Sequence, residues 1–248
     1  MKVHFLVCGT QKGGTTALYE YLREHPGICM ANPKELHFFD EDDMFRTKPP
    51  RYDVYNKAFS PTDSSQILGE ATPIYMYWEP APRRIWEYNP AMKLIVLLRN
   101  PIGRAYSQWN MNRIRGDESL CFLEALLAES ARCAKSKDLQ HRLFSYAGRG
   151  FYLKQLERLW RYFPRSQVLT LRSEDLDTKP NETLGQIWSF LGLAPITCAV
   201  KHGVHALSYP AVMEEEARSY LTELFRKEVR DLEQALDWDL SNWIAHDR

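Results

Sequence analysis

The sequence VHFLVCGTQKGGTT, residues 3–16, decides the fold of this chain. Its first part, residues 3–8, is an apolar run closed by a glycine, which is typical of a strand buried in a parallel sheet. Residues 15–25 predict a helix, because Leu18 and Leu22 are four residues apart, a threonine can cap the start, and a Pro-Gly pair follows. The chain therefore opens with a strand, a glycine-rich loop and a helix.

The glycine-rich loop differs from the usual nucleotide-triphosphate loop, which reads GxxxxGK[ST]. Gly9, Gly14 and Thr16 match that spacing, but Thr15 stands where the lysine belongs, and the loop's own lysine is Lys12. A loop between a strand and a helix directs backbone N–H groups at an anion. We expect this loop to bind an anion without the usual Mg²⁺-nucleotide machinery; a glycine-rich turn without a ligand is the alternative.

Further elements follow from the same patterns. In chain order they are a strand at residues 93–98, a helix that starts at Pro101, a short helix near residues 119–133, a helix at 152–163, a strand at 167–171, a helix at 182–191 and a helix at 212–236. Residues 41–65 and most of 112–150 carry little periodicity, as lids and binding loops do. Strands that alternate with helices imply an α/β, three-layer, P-loop-like fold with a central parallel sheet flanked by helices. We expect one domain, residues 1–248.

The composition excludes several classes of protein. Thirty-two basic residues balance thirty-two acidic ones, which argues against bulk binding of nucleic acid or an anionic membrane. The five cysteines lie far apart, which favours reduced thiols in a cytosol over a disulfide framework. No stretch approaches 18 apolar residues, so we expect a soluble, cytoplasmic protein without a membrane span. No pattern indicates a metal cluster or an oligomeric state.

Three motifs resemble those of sulfotransferases that use 3′-phosphoadenosine-5′-phosphosulfate (PAPS). GTQKGGTTAL, residues 9–18, resembles the loop that binds the 5′-phosphosulfate. PKELHFFD, residues 33–40, resembles a stretch of the heparan-sulfate N- and 3-O-sulfotransferase-like branch. LRNP, residues 98–101, followed by Arg104 and Ser107, resembles the signature for the nucleotide 3′-phosphate, although an asparagine replaces its usual aspartate. The similarity extends over essentially the whole chain and indicates a bacterial-type member without an anchor.

The resemblance implies an enzyme that moves a sulfuryl group from PAPS to a hydroxyl or amine of a small molecule or glycan. The product nucleotide would be 3′-phosphoadenosine-5′-phosphate (PAP), and no metal is required. The residues that it assigns to the cofactor are Lys12, Gly13, Gly14, Thr15, Thr16, Arg99, Ser107 and, on a looser match, Lys201, Gly203 and His205. Arg99 follows a predicted strand, where open α/β sheets bind ligands, and its fork suits a phosphate.

The same resemblance implies three catalytic residues. Glu35 would be the base that takes the acceptor's proton, and Lys12 would stabilise the leaving group. His37 would point the same way as Glu35 on an extended strand, and would orient the acceptor or substitute in part as the base. Taken alone, each of Glu35 and His37 also fits a plainer reading, as a surface carboxylate and a structural histidine.

Two other functions remain open at this point. A P-loop kinase or NTPase requires a lysine before Thr16 and a carboxylate for Mg²⁺, and the sequence has Thr15 and Arg99 instead. A non-catalytic nucleotide-binding relative would keep the loop and lose the chemistry. A set of aromatic residues fits either an acceptor pocket or, more simply, the core: Tyr75, Tyr77, Trp78, Trp86 and Tyr88.

Overall fold

A computed structural model describes residues 2–136, 140–199 and 212–245. The strands are β1 (Phe5–Gly9), β2 (Ile28–Met30), β3 (Ile67–Ala71), β4 (Lys93–Leu98) and β5 (Val168–Arg172). The α-helices are α1 (Thr15–Glu24), α2 (Tyr52–Asn56), α3 (Ala81–Tyr88), α4 (Pro101–Arg115), α5 (Phe122–Ala134), α6 (Tyr152–Trp160), α7 (Ser173–Thr178), α8 (Pro180–Leu191) and α9 (Glu215–Leu236). Short 3₁₀ helices lie at Asp42–Phe45, Gly148–Gly150, Arg165–Gln167 and Ser241–Trp243.

The five strands form one parallel sheet in the order β2-β3-β1-β4-β5. The first strand of the chain is therefore the middle strand of the sheet, with β3 on one side and β4 on the other. Consecutive strands of a parallel sheet require crossover connections, which the helices supply. The sheet and its flanking helices confirm the predicted α/β, P-loop-like class.

The middle strand is buried along its whole length. Phe5 and Val7 belong to an apolar cluster that α1 and α8 complete, with Leu18 and Trp188 among its members. Leu6 alternates with them along the strand and is equally buried, which places it on the opposite face of the sheet. Both faces are therefore covered, and this explains why the strand reads as a continuous apolar run.

The described residues cluster into two compact units. The first comprises those within Met1–Leu98 and Arg158–Ala206, and it contains the sheet. The second comprises those within Arg99–Glu157 and Leu207–Arg248, and it contains α4, α5 and α9. The two units interrupt each other along the chain, so neither corresponds to a continuous stretch of sequence.

The second unit is organised around buried polar contacts. Glu118 is 4% exposed and accepts hydrogen bonds from the Arg132 guanidinium and, at 2.9 Å, from the Tyr146 hydroxyl. Burying the Glu118 carboxylate without these hydrogen-bond partners would be strongly unfavourable.

The packing of α9 also requires a glycine. A Cβ on Gly150 would lie 2.5 Å from the Phe225 ring, so α9 packs directly against the backbone there.

All five cysteines are free thiols in this structure. Cys8 lies within β1, and burial raises the pKa of its thiol to about 12, which keeps it protonated and unreactive. None of the described helices is long and apolar enough to cross a membrane.

The sequence patterns located most of the elements and missed two strands. The predicted strands at 93–98 and 167–171 correspond to β4 and β5, and the predicted helices to α1, α4, α5, α6, α8 and α9. β2 has only three residues, too few for a periodic signal. β3, ILGEA, carries a glycine and a glutamate inside the strand, which disguise its burial. Residues 41–65, expected to be irregular, contain a 3₁₀ helix and α2.

Gly69→Ala is expected to destabilise the fold. An added Cβ would clash with Cζ of Phe5, which is fully buried in the middle strand, so the ring must move. Such overpacking costs about 1–3 kcal/mol. The measurement is the free energy of unfolding in urea.

Gly185→Ala is the matched control, because no described heavy atom outside the adjacent helix backbone and chain neighbours lies within 4 Å of the added Cβ in α8. Alanine in a helix interior should stabilise it by roughly 0.5–1 kcal/mol. Equal losses in both variants would contradict the packing of Phe5 over Gly69.

Candidate active site

The loop between β1 and α1 is held by backbone contacts that require glycine. Thr10 N–H donates to the carbonyl of Leu97 at 3.0 Å, and a Cβ on Gly13 would lie 2.8 Å from the same oxygen. Gly14 has φ of 87° and forms the N-cap of α1, where it offers no side chain to the first-turn N–H groups. Those groups are the ones that an anion binds at a helix N-terminus, and this loop contains the predicted cofactor residues Lys12, Gly13, Gly14, Thr15 and Thr16.

The segment that carries Glu35 runs beside β3. Glu35 N–H donates to the carbonyl of Ala71 at 3.1 Å, and Ala31 N–H donates to that of Gly69 at 2.8 Å. Ala71 pairs with Val7 in β1, the strand that leads into the glycine loop. Glu35, beside the end of β3, and the loop after β1 that holds Lys12 therefore lie at the same carboxyl edge of the sheet, where α/β folds bind their ligands.

The prediction that Glu35 and His37 lie on an extended strand is wrong. Both have left-handed backbones, with φ of 63° and 54°, and the segment is irregular. Their side chains meet nevertheless, with His37 Nε2 3.7 Å from Glu35 Oε2. The other ring nitrogen, Nδ1, lies 3.1 and 3.2 Å from the two carboxylate oxygens of Asp40, which is fully buried. His37 is thus fixed between two carboxylates.

Glu35 contacts a cation at each oxygen. Lys34 Nζ donates to Glu35 Oε1, and its side chain is 16% exposed, whereas that of Glu35 is 37% exposed. Burial raises the pKa of Glu35, but the His37 ring, 3.7 Å away, and the charge of Lys34 outweigh it and lower the pKa to about 2. The carboxylate is ionised at neutral pH, as a general base must be.

The neighbouring carboxylates control the protonation of His37. The hydrogen bond with Asp40 and the nearby carboxylate of Glu35 raise its pKa to about 9, against the opposing effect of burial. Since the folded pKa exceeds the unfolded value of 6.5, the stabilisation is fully present below about pH 6.5 and is lost as pH rises through about 9. At neutral pH the ring is an imidazolium, which donates hydrogen bonds and cannot accept a proton. In this state the ring cannot serve as a second base, which leaves the predicted orienting role open to it.

Backbone strain is concentrated at the predicted catalytic residues. Among the residues that the structure describes, four other than glycine have positive φ: Lys12, Glu35, His37 and Asp237. Asp237 ends α9, where a left-handed residue is common. The remaining three are the predicted catalytic set. A left-handed residue that is not glycine costs about 1–3 kcal/mol and persists where function requires it.

Arg99 and Ser107 belong to the second unit. Arg99 directly follows β4, and its carbonyl accepts a hydrogen bond from Tyr152 at 2.8 Å. Its Nε and Nη2 each lie 3.9 Å from the position of a Cβ on Gly103, so the guanidinium lies over the first turn of α4. Ser107, 1% exposed, lies two turns into the same helix. The other predicted cofactor residues, Lys201, Gly203 and His205, lie outside the described residues.

Asn100 has two structural contacts. Its side-chain oxygen accepts a hydrogen bond from Ile102 N–H at 2.9 Å and so caps α4. Its Nδ2 donates to the carbonyl of Trp243 at 3.0 Å, which ties the C-terminal segment to the start of this helix. An aspartate could cap the helix but could not donate, so the asparagine has a specific role here.

The aromatic set proves to be mainly core. Tyr75, Tyr77, Trp78 and Tyr88 are at most 7% exposed, and only Trp86 reaches the surface, at 43%. Sequence reasoning missed the residue beneath them, Glu70, a fully buried carboxyl that bonds the Tyr75 hydroxyl at 2.7 Å.

The chain belongs to the sulfotransferase family. Residues 2–235 match the model of the sulfotransferase domain. The mouse heparan sulfate glucosamine 3-O-sulfotransferase 5 is 30% identical over 193 residues, which are 77% of this chain and 53% of that protein. The predicted resemblance to the heparan-sulfate branch is thereby confirmed. This chain spans about half the length of that relative.

Two solved structures support the fold. A sulfotransferase from Alicyclobacillus acidocaldarius superposes with a TM-score of 0.85 at 27% identity, over 99% of this chain and all of the other. The mouse sulfotransferase SULT7A1, complexed with PAP, superposes with a TM-score of 0.56 at 15% identity, over 95% of this chain and 88% of the other. The second likeness concerns the fold alone.

Lys34→Met is expected to raise the pKa of Glu35 from about 2 by about 1 unit or more, because it removes the ammonium from Oε1. ¹³C NMR titration of the glutamate carboxyl carbons measures this shift.

Lys2→Met is the control. Lys2 is exposed and precedes β1, at the end of the strand opposite the glycine loop, so this variant should leave the Glu35 pKa unchanged. An unchanged Glu35 pKa in the Lys34 variant would disprove the ion pair.

Asn100→Asp, which restores the residue expected in the family motif, should destabilise this protein by about 1–2 kcal/mol. It removes the donor to Trp243 and places a charge against that carbonyl, which outweighs the gain of a carboxylate at a helix N-terminus. Urea unfolding measures the change. Asn242→Asp, the same substitution at an exposed neighbour of Trp243, should change stability by less than about 0.5 kcal/mol. Similar values for both variants would rule out the role of Nδ2.

Proposed function

We propose that this protein transfers a sulfuryl group from PAPS to a hydroxyl, or an amine, of an acceptor by in-line displacement. The observation that carries this proposal is the arrangement of Glu35, with its carboxylate against His37 and His37 held by buried Asp40, at the sheet edge where the glycine loop begins. A P-loop kinase is no longer favoured, because the chain belongs to the sulfotransferase family. The family match over residues 2–235 supports the proposal that residues 1–248 act as one domain.

The chain's own residues fit the donor nucleotide. The backbone N–H groups of residues 12–16 would bind the 5′-phosphosulfate, in a loop where a Cβ at Gly13 would clash with backbone oxygens. Arg99 and Ser107 would bind the 3′-phosphate. Lys201, Gly203 and His205 remain weaker proposals for the same nucleotide. The PAP found with SULT7A1 supports this class of cofactor. PAPS supplies the sulfuryl group.

The proposed chemistry assigns each charged residue a different task. Glu35 accepts the proton that the acceptor loses, and such a base contributes about 10²–10⁴-fold to the rate. Lys12 stabilises the negative charge that grows on the leaving phosphate. His37, an imidazolium, holds the Glu35 carboxylate and directs it at the acceptor. Most of the remaining rate would come from positioning and charge stabilisation, as in phosphoryl transfer.

A glycan hydroxyl is the acceptor that the comparisons favour. The mouse relative acts on the glucosamine of heparan sulfate, as its name states, and the shared family supports the same class of acceptor here. A small-molecule hydroxyl or an amine is the alternative. We propose no metal for the reaction and a cytoplasmic location for the protein.

Isothermal titration with PAP in the absence of metal tests the nucleotide site. The wild type is expected to bind PAP, and Arg99→Ala should weaken the affinity at least about tenfold, since a bidentate contact to phosphate is lost. Arg83→Ala removes an arginine that is 61% exposed and pairs only loosely with Glu87, at 3.6 Å, and should leave the affinity unchanged.

A parallel titration with ATP and Mg²⁺ should give weaker binding than PAP. Preference for ATP with Mg²⁺, or equal PAP affinity in the wild type and Arg99→Ala, would refute the proposed nucleotide site.

A further inference from the structure

Glu70 is a carboxyl in the interior of a buried strand. It lies within β3, is 0% exposed, and accepts hydrogen bonds from three hydroxyl groups. Tyr55 donates to Oε2 at 2.6 Å, whereas Thr72 and Tyr75 donate to Oε1 at 2.6 and 2.7 Å. Burial raises the pKa of Glu70, with the charge of Asp40 acting in the same direction. An apolar residue at this position would avoid the free-energy cost of burying a carboxyl, so packing alone does not explain Glu70.

The Tyr75 hydroxyl connects Glu70 to the catalytic segment. It accepts a hydrogen bond from Phe38 N–H at 3.0 Å and lies 3.4 Å from Phe39 N, a longer second contact. A phenol has one proton to donate. Since the Tyr75 hydroxyl donates this proton in its hydrogen bond to Glu70, the lone pairs of the hydroxyl oxygen face the two backbone N–H groups. Without Glu70, the hydroxyl could rotate and lose this orientation.

Phe38 and Phe39 are the residues between His37 and Asp40. The Tyr75 hydroxyl therefore fixes the short backbone that joins the imidazole to its buried carboxylate. His37 in turn contacts Glu35, whose own N–H is held by Ala71, the residue after Glu70 in β3. β3 thus holds one end of the catalytic segment through the Ala71 carbonyl, and its residue Glu70 holds the other end through Tyr75, which follows the strand.

We propose that Glu70 and Tyr75 form a buried positioning pair that sets the geometry of His37 against Asp40 and Glu35. The assignment rests on the proposed function, in which Glu35 is the base. Neither member touches the reacting atoms in this account, so both act through the backbone of Phe38 and Phe39. This role explains why a carboxyl with three hydroxyl partners is buried at Glu70 in β3.

Tyr75→Phe and Tyr55→Phe make a matched pair of variants. Each removes one hydrogen bond to Glu70 from a tyrosine that is at most 2% exposed, and each keeps the ring. Only Tyr75 also contacts the backbone between His37 and Asp40. A purely structural role predicts similar behaviour from the two variants, and a positioning role predicts different behaviour.

The readout is the pKa of His37, followed by NMR of the imidazole in the full chain. The groups that face this ring are Glu35 and Asp40, with Lys34 on the far side of Glu35. Tyr75→Phe should lower the His37 pKa from about 9 toward 6.5 by about 1 unit or more, because Nδ1 of the ring is no longer aligned with the Asp40 carboxylate. Tyr55→Phe should leave it unchanged. In the transfer assay, Tyr75→Phe should lower kcat at least about tenfold with KM for PAPS unchanged.

Glu70→Gln is the second variant, in case Tyr75→Phe does not fold. A glutamine amide can point its N–H₂ at the tyrosine and reverse the orientation of the hydroxyl, so the His37 pKa should fall here too. Equal His37 pKa values in the wild type, Tyr75→Phe and Glu70→Gln would overturn the proposal, as would equal shifts in Tyr55→Phe and Tyr75→Phe. Since PAP affinity should be unaltered in all variants, failure of the wild type to bind PAP would instead refute the proposed function, and the His37 comparison would still be readable.

Discussion

The parallel pairing of β1 with β3 is the constraint on which the candidate site depends. It aligns Val7 with Ala71, so that the glycine loop after β1 and the Glu35 segment beside β3 emerge at the same edge of the sheet. The apolar run of β1 secures that pairing by burying both of its faces. A shift of this register by one residue would turn each strand's side chains to the opposite face and separate the two segments.

The charges of the site follow from that placement. Two carboxylates, Glu35 and Asp40, hold one imidazolium between them, and Lys34 neutralises the other oxygen of Glu35. Glu35, the proposed base, is therefore ionised, with its pKa near 2. The strained backbones of Glu35 and His37 hold these side chains in contact.

The sequence was sufficient to predict the fold class and the position of the glycine-rich loop between β1 and α1, because both depend on local patterns. The apolar run before Gly9 and the glycines at 13 and 14 are visible without a structure. The conformation at Glu35 and His37 was not predictable, because left-handed residues other than glycine carry no periodic signal. Glu70 was missed for a related reason: its role depends on Tyr55 and Tyr75, which are distant in sequence and meet only after folding.

Transfer of ³⁵S from labelled PAPS to a panel of acceptors tests the central claim most directly. The panel contains heparan-type glycans, amino sugars and phenols, and the comparison is between the wild type and Glu35→Gln at equal PAP occupancy. The account predicts labelled acceptor with the wild type and a rate about 10²–10⁴-fold lower with Glu35→Gln. Full activity in Glu35→Gln, or PAP binding without transfer to any acceptor, would contradict it.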